Sequence, residues 1–106
     1  MLENMLKELI EKNKFEEKSL RIFWKTFNAY CSEEKEEFEK VFTQYSLEKM
    51  YIKVHTISFR LGNWPECNYN HIVVNIPIIY NKHELGNYEI CFDLQGEVDD
   101  DYFVIY

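Results

Sequence analysis

The segment His71–Tyr80, HIVVNIPIIY, constrains the fold more than any other stretch of the chain. Its even positions, Ile72, Val74, Ile76, Ile78 and Tyr80, are all apolar, whereas the odd positions mix His71, Asn75 and Pro77 with Val73 and Ile79. Strand side chains alternate between faces, so the even row forms an apolar wall that has to be covered. Tyr88–Gln95 repeats the pattern more strictly, with Tyr88, Ile90, Phe92 and Leu94 alternating with Glu89, Cys91, Asp93 and Gln95. The two segments read as the middle strands of an antiparallel sheet. Pro77 cannot donate a ladder hydrogen bond, which puts its strand at an edge on that side or at a bulge.

The cover comes from the N-terminal half, where the apolar period is that of helices. Leu2, Met5, Leu6, Leu9 and Ile10 form one stripe. It breaks at Asn13, which has capping-box spacing to Glu16, so a second helix starts there or a long one bends. Leu20, Phe23, Trp24, Phe27, Tyr30 and Cys31 make an aromatic second stripe. Ser32 before Glu33 and Glu34 suits the start of a third helix, with Phe38, Val41, Phe42 and Tyr45 as its buried side. The EEKEEFEK surface of that helix reads as a solvated face.

The expected fold is α+β: two or three N-terminal helices packed on one face of a C-terminal antiparallel four-stranded sheet in meander order. A length of 106 residues suits one core, and 3 Gly and 2 Pro leave little linker material. The chain is therefore taken as a single domain, 1–106, with a helical part over 1–47 and a sheet part over 48–106.

The remaining sheet segments carry punctuation of their own. Ile52 and Val54 share one parity and Ile57, Phe59 and Leu61 the other, which requires an extra residue or a kink near His55–Thr56. The connection GNWPECNYN holds Trp64 and Tyr69, which either fold back on the core or stand out as partner anchors. NKHELGN is expected as the loop between the middle strands, with Gly86 at positive φ. QGEVDDD then turns the chain into a last strand, Tyr102–Tyr106, apolar at every position. Such a strand is buried on both sides or has an exposed face that meets another molecule.

Charge separates the halves. Residues 1–60 hold 11 acids and 11 bases, whereas residues 61–106 hold eight acids against Lys82 alone, so the whole net charge of −7 lies in the sheet half. That field repels nucleic acid and anionic lipid and attracts basic partners. No apolar run approaches the ~20 residues of a membrane span, and MLENMLKELIEK lacks a signal peptide's apolar stretch. A cytoplasmic location is expected.

No motif for catalysis or cofactor binding stands out. Cys31, Cys67 and Cys91 are dispersed and form no CxxC pair, and His55, His71 and His83 fall in neither HxxxH nor HExxH. The histidines read as surface or strand-end residues. Gly62, Gly86 and Gly96 are isolated, so no phosphate cradle is present, and neither a cofactor nor a metal is expected. Asp99-Asp100-Asp101 lacks DxDxDG spacing, and successive strand residues point to opposite faces. A solvated turn that discourages edge pairing, or a charged contact for a basic protein, suits the run better.

The segment Gly86–Tyr106, GNYEICFDLQGEVDDDYFVIY, resembles the closing hairpin of small acidic immunity proteins found beside bacterial secreted toxins. The shared order is an aromatic strand, a D-L-x-G-E turn, an acidic run and an aromatic strand, and it covers about a fifth of the chain. The resemblance implies a non-catalytic cytoplasmic inhibitor that neutralises a basic partner such as a toxin nuclease. Glu89, Glu97, Asp99, Asp100 and Asp101 would then steer and pair, and Tyr88, Tyr102 and Trp64 would anchor if exposed. The rival expectations are a homodimer formed through the last strand or an exposed sheet face, and a small ligand-binding protein or enzyme. Asn, Ile, Lys and Tyr are abundant beside a single alanine, Ala29, which fits an A+T-rich bacterial or phage genome.

Overall fold

The computed structural model describes all 106 residues. Helices α1 (Leu2–Asn13), α2 (Phe15–Glu33) and α3 (Lys35–Val41) are followed by a short 3-10 turn at Leu47–Lys49 and a sheet. The strands are β1 (Met50–Ile52), β2 (Thr56–Gly62), β3 (Tyr69–Tyr80), β4 (His83–Phe92) and β5 (Val98–Ile105). All pairings are antiparallel; β3 and β4 lie in the middle, β5 forms one edge, and β1 and β2 share the other. The architecture is α+β, with the strands in meander order once β1 and β2 are read as one interrupted edge.

That interruption is the expected extra residue. Between the pairs Ile52↔Ile78 and Thr56↔Asn75, residues 53–55 oppose only residues 76–77. The insertion flips the parity, so that Ile52 and Ile57 both face the helices. Pro77 falls in the gap and needs no donor toward that edge, while it remains registered with Asn87 on β4.

The even row of β3 and β4 is the floor of the core: Val74, Ile76, Ile78, Tyr88, Ile90 and Phe92 have no exposed surface. Helix α2 covers it with Phe15, Ser19, Phe23, Phe27 and Tyr30, spaced three or four residues apart and all buried. Phe15 meets Phe92 at 4.9 Å between ring centroids, Phe23 meets Tyr88 at 5.9 Å, and Phe42 meets Tyr80 at 5.2 Å. Each fully buried Phe contributes roughly 1.5–3 kcal/mol, which makes this aromatic layer the main tie between helices and sheet.

Local signals were less faithful than periods. Asn13 closes α1, its side-chain amide donating to the Leu9 carbonyl at 2.9 Å, and Lys14 at φ 53 joins the helices without a capping box. Ser32 lies inside α2, bonding back to the Asn28 and Ala29 carbonyls, and α3 starts after Glu34 instead. The β3–β4 turn is only Asn81-Lys82, both at positive φ, and Gly86 lies within β4. Glycine is required at 86 by close approach, since a Cβ there would strike the Val104 carbonyl. The acidic run is not in a turn: β5 begins at Val98 and contains all three aspartates. Nor is β5 buried on both sides, since Tyr102 and Val104 are half exposed. No helix is long and apolar enough to cross a membrane.

Candidate functional site

The helices cover one face of the sheet and leave the other bare. Register assigns its rows: Arg60 beside His71, then Ser58–Val73–Cys91–Asp100, then Thr56–Asn75–Glu89–Tyr102. The middle of this face is low and its flanks are tall. Val73, Cys91 and His71 are buried although no helix lies over them, and the Tyr69 ring of β3 stands 4.1 Å from that of His71. The result is a hollow of about 160 Å³ lined by Arg60, Tyr69, His71, Cys91, Asp100 and Tyr102, with Gly62 at its rim.

A bulge builds the acidic side of the hollow. Phe92 pairs with Val98 and Cys91 with Asp100, which leaves Asp99 as the extra residue on β5. A bulge suspends the alternation of a strand, so Asp99 and Asp100 both serve the bare face. Asp99 Oδ2 lies 2.7 Å from His71 Nε2. The bonds from His71 and Tyr69 hold the Asp99 carboxyl below the ordinary carboxylate range. The Asp99 carboxylate in turn pushes the Tyr69 hydroxyl up. Asp100 accepts the Tyr102 hydroxyl at 2.8 Å, and this bond raises the Tyr102 pKa.

Asp101 belongs elsewhere. It registers with Ile90 on the helix side, where its carboxylate accepts the Tyr88 hydroxyl at 2.6 Å. Tyr88 itself is fully buried beneath α2, so the expectation that it anchors a partner is corrected: even parity aims it into the core. Glu97 is exposed in the Asp93–Glu97 turn, whose N–H groups at Gln95 and Glu97 donate to Asp93 Oδ1. Trp64 is 75% exposed on the β2–β3 loop and stands out from the core. The bare face therefore unites Glu89, Asp99, Asp100 and Tyr102 of the residues singled out from sequence. It adds Arg60, which sequence reasoning passed over, together with Tyr69, weighed there as a possible anchor, and His71 and Cys91, which read as a strand-end histidine and a dispersed cysteine. The odd parity shared by Tyr69, His71 and Val73 was a legible signal for two of these.

Lysines from the helices do not neutralise this face. The one lysine–carboxylate ion pair of the molecule is Lys7–Glu3, within α1, and the carboxylate contact on the bare face is the hydrogen bond between His71 and Asp99. Lys18 reaches the Gly96 carbonyl at 3.4 Å, at the end of the β4–β5 turn. Cys91 makes no hydrogen bond with His71, and burial pushes its thiol pKa up. No three His, Cys, Asp or Glu side chains are grouped to hold a metal ion. Comparison with protein-family models, curated proteins and solved structures finds no match.

Proposed function

We propose that the protein is a non-catalytic interaction protein whose bare sheet face receives a basic partner, in the manner of an inhibitor or immunity protein neutralising a toxin. The observation that carries the reading is the Asp99 bulge. It sets two adjacent carboxylates on the same accessible face as Glu89, between the rings of Tyr69 and Tyr102. Carboxylates steer a basic surface in, and aromatic rims supply contact area once water leaves. Asp99 is held by His71, and Asp100 accepts only the Tyr102 hydroxyl and the Asp101 N–H, so neither Asp100 nor Glu89 has a cationic partner within the chain and both can pair with incoming cations.

The test is capture of basic proteins from the source cell on the wild-type protein and on a Glu89→Lys/Asp100→Lys variant, at low and high salt. The reading expects a basic protein held at low salt, released by high salt and not held by the variant. Retention by both proteins alike, or no basic protein at all, contradicts it.

A second reading is favoured by one feature, the nine-tenths-buried His71 oriented by Asp99 inside a concavity. A small-ligand site would use that imidazole with Arg60. The raised thiol pKa and open shape of the hollow support it less than they support a protein contact. Saturable shifts of the His71 ring signals with a small-molecule library, unaffected by Glu89→Lys, would favour it.

A further inference from the structure

The two edges of the sheet are protected unequally. The β1/β2 edge is interrupted by the extra residue at 53–55, which spoils it as a template. The first half of β5 is protected in two ways. The bulge at Asp99 breaks its outline, and the outward N–H of Asp101 is already taken by Asp100 Oδ1 at 2.9 Å. The second half has no such device. Tyr106 N donates to Leu85 O on β4, so by alternation the N–H and C=O groups of Phe103 and Ile105 point away from the sheet. Neither residue has a partner on that side. They are flanked by Val104, 49% exposed, and by Tyr102 and Tyr106, with no charged side chain among the five.

We propose that this half-strand pairs with the same half-strand of a second copy, antiparallel across a two-fold axis at Val104. In that register Phe103 lies opposite Ile105 of the second copy, and the two exchange both backbone bonds; the symmetric pair does the same. Four hydrogen bonds then use all four outward groups. On the bare face, Val104 meets its own equivalent and Tyr102 meets Tyr106 of the second copy, an aromatic and β-branched stripe suited to cross-strand contact.

Charge selects both the register and the occupant. With the axis at Val104, Asp101 of each copy is six residues along the strand from its equivalent, about 20 Å away. Moving the axis toward residue 101 sets aspartates against aspartates and spends the N–H that Asp100 has already taken. A basic strand from another protein would be drawn to the aspartate half, which is blocked. An uncharged edge of the same short length is what β5 itself presents. The two helical layers lie on one side of the resulting continuous sheet and both bare faces on the other. This contact is independent of the reading under Proposed function, and it responds to salt with the opposite sign. Two copies of net charge −7 repel, so salt strengthens their association.

The test is sedimentation over a concentration series, at low and high salt, of the wild-type protein and Val104→Lys, with Val104→Cys and Tyr102→Cys for cross-linking. Opposed residues at a non-hydrogen-bonded site lie about 4.5 Å apart at Cα, within disulfide range. Wild type should dimerise more tightly at high salt, and Val104→Lys should stay a folded monomer. On mild oxidation Val104→Cys should form a covalent dimer, while wild type and Tyr102→Cys do not, since positions 102 stand about 13 Å apart. A wild-type protein that is monomeric at every concentration and salt overturns the proposal. So does a dimer that survives Val104→Lys, or equal cross-linking at 102 and 104.

Discussion

Asp99, Asp100 and Asp101 are adjacent in sequence and identical in chemistry, yet the structure gives them three different tasks, and stability measurements can separate them. Asp101 accepts the hydroxyl of Tyr88, a side chain with no exposed surface, and the Thr26 hydroxyl stands 3.3 Å from the same Tyr88 oxygen. A hydrogen bond to a charged acceptor is worth about 1.5–3 kcal/mol, and access of water to the carboxylate lowers this to roughly 1–2 kcal/mol. Asp101→Ala should therefore cost about 1–2 kcal/mol, or roughly 5–12 °C in Tm for a domain of this size. Asp101→Asn, which keeps a neutral acceptor, should lose about half as much. Tyr88→Phe should cost about 1 kcal/mol, and the double variant little more than either single one, because both remove the same bond. Asp100→Ala removes only exposed contacts and should stay within about 0.5 kcal/mol of wild type. Urea unfolding at neutral pH measures all of these. Equal losses at positions 100 and 101, or strictly additive effects of Tyr88→Phe and Asp101→Ala, would refute the division of labour.

Three further outcomes follow from local geometry. Gly86→Ala should destabilise by about 1–3 kcal/mol, read by urea unfolding, because its Cβ would strike the Val104 carbonyl and force β4 and β5 apart. Lys82→Gly should raise stability by roughly 0.5 kcal/mol in thermal melts, since residues 81 and 82 sit at φ 50 and 69 and Asn-Gly is the favoured sequence for such a turn. Asp99 has a folded pKa below its unfolded one, so its contribution to stability is present above the unfolded carboxylate value near 4 and is lost as pH falls through the folded value. Acid titration followed by circular dichroism should show Asp99→Asn losing less stability than wild type between pH 5 and pH 2, conditions set by those carboxylate values.

What could be read without coordinates was what depends on period. The even row of β3 and β4 and the stripe Phe23–Phe27–Tyr30 each had one way to be buried, and the parity change between Ile52 and Ile57 demanded an inserted residue. The helix starts at Asn13 and Ser32 were misplaced because a capping side chain works equally well bonding backward inside a helix, as both residues do. The site was harder. Strict alternation would send Asp99 and Asp100 to opposite faces, and only the β4–β5 register reveals the bulge that reunites them. His71 looked like a strand-end residue because its partner is 28 positions away. Tyr88 looked like an anchor because an aromatic residue in an alternating strand suits either face until the helices have chosen one.

The most direct test of the central claim is where a cation settles on this molecule. Backbone amide shifts of the labelled protein, titrated with a nona-lysine peptide at low and high salt, locate it residue by residue. Saturating shifts confined to Glu89, Asp99–Tyr102 and Tyr69, abolished by salt and by Glu89→Lys/Asp100→Lys, are the predicted result. Shifts spread over the glutamates of α2 and α3, or unchanged by the variant, would contradict it.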